Sequence, residues 1–227
     1  MNILQTQHLA SDIVRLLSTA EGRTKAYRLL QYASKALQLV LRRVFHVNSD
    51  SSESIRVLKV LEYLMGTCRK AMRLFRFLDM WTLFPTVVDK NPSVRRLRQT
   101  RILAFLCMFL FENISLFYPT TDVTVDDGQG KRRTLVTVRW SRWCHTCWFV
   151  SLVLGVGLDL HLHRPTSRLA MLKNLTDLPI ALLLALRIRV DDALMCGLSL
   201  SSSVMGMQLH WTGRALHSNV KPFESVE

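Results

Sequence analysis

The segment from Ser54 to Trp81 constrains this chain more than any other, because its apolar and basic residues are sorted onto opposite sides of one helix. Val57, Leu61, Leu64, Cys68, Met72 and Phe75 recur at steps of three and four, and Leu58, Met65 and Leu78 widen the stripe. Lys59, Arg69, Lys70, Arg73 and Arg76 fall on the other side. A surface helix of a soluble protein mixes both signs on its wet face, whereas here only Glu62 and Asp79 dilute the positive charge. The pattern predicts a helix lying in a membrane surface. The first set of residues forms its insertion face, and the second meets anionic lipid headgroups.

Composition agrees. Hydrophobic residues make up 49% of the 227-residue chain while its formal net charge is +13, a pairing of apolar content and charge that a soluble domain does not show. So basic a chain also invites a nucleic-acid reading. No recognition helix, RNP motif or zinc-finger spacing is present, and the basic residues lie opposite broad apolar stripes, so nucleic acid is not expected as a partner. The five cysteines are odd in number and scattered over helical segments. The first twenty residues lack the basic start and unbroken apolar core of a secretory signal, so a reducing, cytosol-facing setting is expected. Phe223 to Glu227 is neither a matrix-targeting tripeptide nor a retention signal.

Read along its length, the chain is all-α and membrane-integral, with N-terminal basic amphipathic helices and a C-terminal transmembrane helix. Residues 1–101 form the amphipathic region. Within it, Gly22 separates a short first helix from a longer one that carries Ala26, Leu30, Ala33, Leu37, Val40 or Leu41, and Val44 on one stripe. Lys25, Arg28, Lys35 and Arg42 occupy the other stripe, and the polar stretch Asn48–Ser54 supplies an N-cap for the next helix. Residues 102–118 read as a packed or partly embedded helix, since Glu112 and Asn113 would cost a few kcal/mol in hydrocarbon unless buried in a bundle.

Residues 119–142 change character: Val123 and Val125 alternate with Thr124, and Val136 and Val138 alternate with Thr137, around Asp126 to Gly130. This reads as a small hairpin or a flexible loop. Residues 143–192 hold hydrophobic helices, with Trp143–Leu158 a candidate first span of about 24 Å and Arg168–Ala185 a run interrupted by Pro179. Ala193–Gly213 is uncharged for 21 residues and is the strongest anchor candidate on that ground. Gly197, Ser201, Ser202 and Gly206 would let another membrane helix approach it closely, Trp211 suits the interface, and residues 214–227 follow as a cytosolic tail.

Catalytic and metal chemistry find little support. Cys144-His145-Thr146-Cys147 lacks the βαβ setting of a redox motif, and the spacing of His161 and His163 is tighter than that of zinc ligands. Gly128 to Lys131 does not match a phosphate-cradling loop. Asp126-Asp127 and Asp191-Asp192 are adjacent in sequence at turns, and His46, His210 and His217 stand alone. No enzyme activity, cofactor or metal is expected.

Three blocks resemble the peroxin-11 family of peroxisomal membrane proteins. The first, Gly22-Arg23-Thr24-Lys25 continuing through Arg28-Leu29-Leu30-Gln31-Tyr32, is similar to the family's N-terminal pattern. Arg69-Lys70-Ala71-Met72-Arg73 resembles the basic part of its amphipathic helix. Leu172 to Pro179, followed by Ser201-Ser202 and Gly206 to Trp211, is similar to its C-terminal segment. Thr24 stands where an acidic residue is frequent, and Cys68 where a serine is common. The resemblance implies residence in a peroxisomal or glycosomal membrane with both termini in the cytosol. It also implies self-association and a role in membrane elongation before fission, with scission by a dynamin-related GTPase recruited through a tail-anchored adaptor. The mechanism expected is a wedge, a helix sunk about 5–10 Å at the headgroup boundary. The alternative is a channel for small metabolites lined by Ile102–Tyr118 and Trp143–Leu158.

Overall fold

The computed structural model describes residues 11–46, 52–118, 120–126, 132–161 and 168–219. The fold is all-α apart from one antiparallel hairpin, and it divides into two compact units.

The first unit holds residues 1–72, 167–173 and 192–227 and is built on helices α1 (Ala20–Arg43), α2 (Glu53–Ala71) and α7 (Asp192–Asn219). Helix α1 starts at the Thr19 N-cap, whose hydroxyl accepts from the Gly22 N–H at 3.2 Å, with Glu21 in its first turn and Arg42 and Arg43 in its last. Gly22 lies inside that first turn, not between two helices. A Cβ there would stand 1.9 Å from the Leu16 carbonyl oxygen, so only glycine fits this close approach of the chain at the entry to α1. Gly22→Ala should cost about 1–3 kcal/mol. Gly197→Ala, where an added Cβ meets nothing within 4 Å, should not destabilise. Thermal unfolding of the two variants in detergent checks the contrast.

Polar side chains make the seams of this unit. Between α1 and α7, Arg28 donates to the Ser202 hydroxyl at 3.2 Å, Lys35 pairs with Asp192 at 3.1 Å, and the Cys196 thiol donates to the Tyr32 carbonyl at 3.6 Å. Between α1 and α2, Gln38 donates to Glu62 at 2.9 Å and Arg69 to Gln31 at 3.0 Å. Ser34, Gln38, Ser199, Ser202 and Ser203 are buried, whereas Leu30, Leu37, Val40, Val57, Val60, Leu64, Leu194 and Val204 are exposed. Soluble packing is turned inside out.

The second unit holds residues 73–166 and 174–191. Helix α3 (Arg76–Leu83) runs into a 3₁₀ turn (Phe84–Thr86), and α4 (Pro92–Phe117) begins at the Asn91 cap with proline at its first position. Two strands, β1 (Thr120–Asp126) and β2 (Arg132–Arg139), lead into α5 (Trp140–His161). They pair antiparallel with Val123 opposite Val136 and an irregularity between Val123 and Thr124, so the alternating segment is a hairpin rather than a loop. Its turn, residues 127–131, lies outside the described residues. Phe111 stacks on Trp140 at 5.8 Å and meets Trp143 at 6.5 Å, while Arg101 lies against Gly155. Those contacts at opposite ends make α4 and α5 an antiparallel pair around Met108, Phe109, Leu152 and Leu158.

Helix α6 (Arg168–Leu186) continues through Pro179. It closes with Arg187 in the left-handed region at φ 59° and the Ile188 N–H donating to the Leu183 carbonyl.

Three helices, α4, α5 and α6, are long and apolar enough to cross a membrane by length and composition, and little of their surface is buried within the protein. The anchor expected at Ala193–Gly213 is not among them. Helix α7 forms over that segment, but Ser199, Ser201, Ser202, Ser203 and Gln208 leave it less apolar than an uncharged run suggests.

Candidate membrane interface

Helix α2 starts after Ser52, which makes no side-chain cap bond, and carries Glu53 in its first turn and Arg69 and Lys70 in its last, each favourable to the helix dipole. Ile55, wholly buried, fixes the side that faces the protein. The opposite side exposes Val57, Val60 and Leu64 at 57%, 52% and 47%, with Tyr63 beside them at 73%. Fully burying one such aliphatic side chain yields roughly 1.5–3 kcal/mol, so this row represents unused stabilisation. Cys68 is also exposed, and Leu61 is half-buried. Lys59 and Lys70 reach solvent. Arg56 does as well, and its contact with Glu53 at 3.9 Å is an exposed pair of little consequence.

The predicted helix does not run unbroken to Trp81. It stops at Ala71, passes through a turn at Met72–Phe75, and restarts as α3 at Arg76. Phe75 stands at φ 62° and is 60% exposed, and Met72 is half-buried in the turn. Three of the five predicted headgroup residues turn inward. Arg69 binds Gln31, Arg73 forms an ion pair with Glu112, and Arg76 lies over the Phe109 ring at 5.3 Å. Helix α3 then presents Leu78 and Trp81, exposed at 51% and 65%, with tryptophan suited to a membrane interface.

A second exposed stripe was legible in the sequence as periodicity but not as an interface. Leu30, Ala33, Leu37, Val40 and Val44 of the α1 segment are all exposed, spaced by three and four. On α7 the predicted small-residue positions divide. Ser202 and Gly206 are buried, with an added Cβ at Gly206 only 3.3 Å from the Lys173 side chain, whereas Gly197 and Ser201 lie on the open side.

Charged groups also lie within the candidate spans. Glu112 is 8% exposed and pairs with Arg73 through Oε1, while its Oε2 is buried without a hydrogen-bond partner. Arg101 of α4 stacks on Phe105 and lies within electrostatic reach of Asp159 of α5. Cys144 and Cys147 are half-buried in the first turns of α5, and neither forms a disulfide. His163, which shares the tight H-x-H spacing with His161, lies outside the described residues. Among the described residues no group of three or more His, Cys, Asp or Glu side chains is arranged to hold a metal ion.

The family model for peroxisomal biogenesis factor 11 matches residues 10–163, about two thirds of the chain. The match includes α1 through α5 and ends before α6, so the similarity seen at Leu172–Trp211 lies beyond it. No curated protein and no solved structure matches the chain.

Proposed function

Since the chain belongs to the peroxisomal biogenesis factor 11 family, which associates with the peroxisomal membrane and serves in its proliferation and division, we propose that it elongates that membrane by inserting apolar helix faces into the cytosolic leaflet. The observation that carries this reading is the inverted packing of the first unit. Its helices join through Arg28, Gln38, Glu62 and Ser202, and leave the stripes of α1 and α2 bare. In water such stripes would associate or aggregate. At a headgroup boundary they are buried, and Lys59 and Lys70 meet anionic lipid at about 1 kcal/mol each.

Helices α4 and α5 are the membrane-crossing pair in this reading. Two spans return the chain to the side it left, which keeps both termini cytosolic and puts the hairpin on the far side. Self-association uses the open side of α7, where Gly197 and Ser201 let a second copy approach. Many copies on one leaflet then favour a tubule, on which a dynamin-related GTPase recruited through a tail-anchored adaptor acts.

A second reading, a channel for small metabolites, draws on Arg101, Glu112 and Asp159, since ionisable side chains within spans often mark solute pathways. Reconstituting the full chain into phosphatidylcholine vesicles with phosphatidylserine separates the two. Tubules without solute leakage support the wedge. Leakage from vesicles that stay round supports the channel.

A further inference from the structure

The apolar stripe Val57, Leu61, Leu64, Cys68, Met72 and Phe75 is continuous in the sequence, yet the backbone leaves the helix at Met72 and resumes at Arg76. Met72, Arg73, Leu74 and Phe75 include neither glycine nor proline, and nothing in their own preferences breaks a helix. Phe75 even occupies φ 62°, a conformation that an aromatic residue adopts only at a cost. Contacts with α4 hold the break. Arg73 and Glu112, with side chains 17% and 11% exposed, form an ion pair, and Arg76 covers the Phe109 ring.

These contacts cannot coexist with a helix lying in the membrane surface. If α4 descends from the cytosolic face, Glu112 lies eleven residues beyond Arg101, about 16 Å further along the helix axis and out of reach of an arginine held at the headgroups. The surface form therefore requires the pair to open. We propose that the Arg73–Glu112 pair is a latch that keeps the inserting segment broken and its arginines occupied. Anionic lipid opens it by competing for Arg73, and residues 53–83 then close into one amphipathic helix. The proposal rests on reading this segment as surface-inserting. Lipid phosphate offers the guanidinium the same paired acceptors as a carboxylate. Opening leaves Glu112 in α4 without its cation, which opposes release and sets how much anionic lipid is needed.

Spin labels carried on unnatural amino acids at the exposed positions Tyr63 and Thr82 of the full chain test this. A continuous helix puts the two backbones about 28 Å apart. That separation should be scarce in vesicles of phosphatidylcholine alone and rise about tenfold with phosphatidylserine present, driven by the arginine–phosphate contacts. Glu112→Gln should show it in both lipids. Phe75→Gly should reduce it about fivefold, because glycine takes the left-handed turn freely and weakens the helix; this arm decides the matter if Glu112→Gln fails to fold. Tubules formed with no such population in any vesicle would overturn the latch and leave surface insertion standing. Identical distances in the wild type and Glu112→Gln in phosphatidylcholine alone would do the same. Failure of the wild type to bind or tubulate vesicles would overturn both.

Discussion

Glutamate at Val57, Val60 and Leu64 should leave the protein in its organelle membrane and abolish elongation. The three side chains are about half exposed, so the substitutions remove few internal contacts and should change folding stability by no more than about 0.5 kcal/mol each. Their effect falls on insertion. Losing three buried aliphatic groups costs about 5 kcal/mol at the low end, or between three and four orders of magnitude in partitioning, and the new carboxylates are repelled by anionic lipid as well. Replacing Lys59 and Lys70 by glutamine removes only about 1 kcal/mol each, most of it screened at physiological salt. Organelle length in cells and tubule yield on vesicles should both fall to background for the apolar-face variant. The lysine variant should bind more weakly in low salt and keep some activity.

The second large effect concerns anchoring. Arginine at Val150 and Val153, exposed positions of α5, places two charges on an outward face at about 2.5–3.5 kcal/mol each near the bilayer centre. The variant should be released by alkaline carbonate. Arginine at Leu200 and Val204 of α7 should leave the protein resistant, because α7 is not among the helices apolar enough to cross. Release by the α7 pair and not by the α5 pair would return the anchor to the C-terminal helix.

These two expectations diverge from the sequence pattern for physical reasons that individual residues make plain. The 3–4 spacing of Val57, Leu61 and Leu64 is local information, and the helix it predicts forms. Alternation at Val123, Val125, Val136 and Val138 is equally local, and the strands pair across it. The break at Met72–Phe75 was not legible, because it depends on Glu112, 39 residues away from Arg73. Helix α7 illustrates the same limit. Its uncharged run suggested a span, but three of the serines that lower its hydropathy, Ser199, Ser202 and Ser203, are buried, and Ser202 finds its partner in Arg28, 174 residues distant. Gln31 and Gln38 would pass for solvated residues of an amphipathic helix until α2 is packed against them through Arg69 and Glu62. The inverted packing follows from those long-range pairings. No window of sequence contains it.

Immersion depth tests the central claim most directly. A spin label moved singly along residues 56–70 of the full chain in anionic vesicles reports, by power saturation, contact with dissolved oxygen or with a water-soluble nickel complex. At Val57, Val60 and Leu64 the label should favour oxygen at a depth of about 5–10 Å below the phosphates, and at Lys59 and Lys70 it should favour nickel, with a helical period joining the two. Equal access of nickel to every position would contradict the account, since α2 would then lie in water and its bare face would have no part in shaping the membrane.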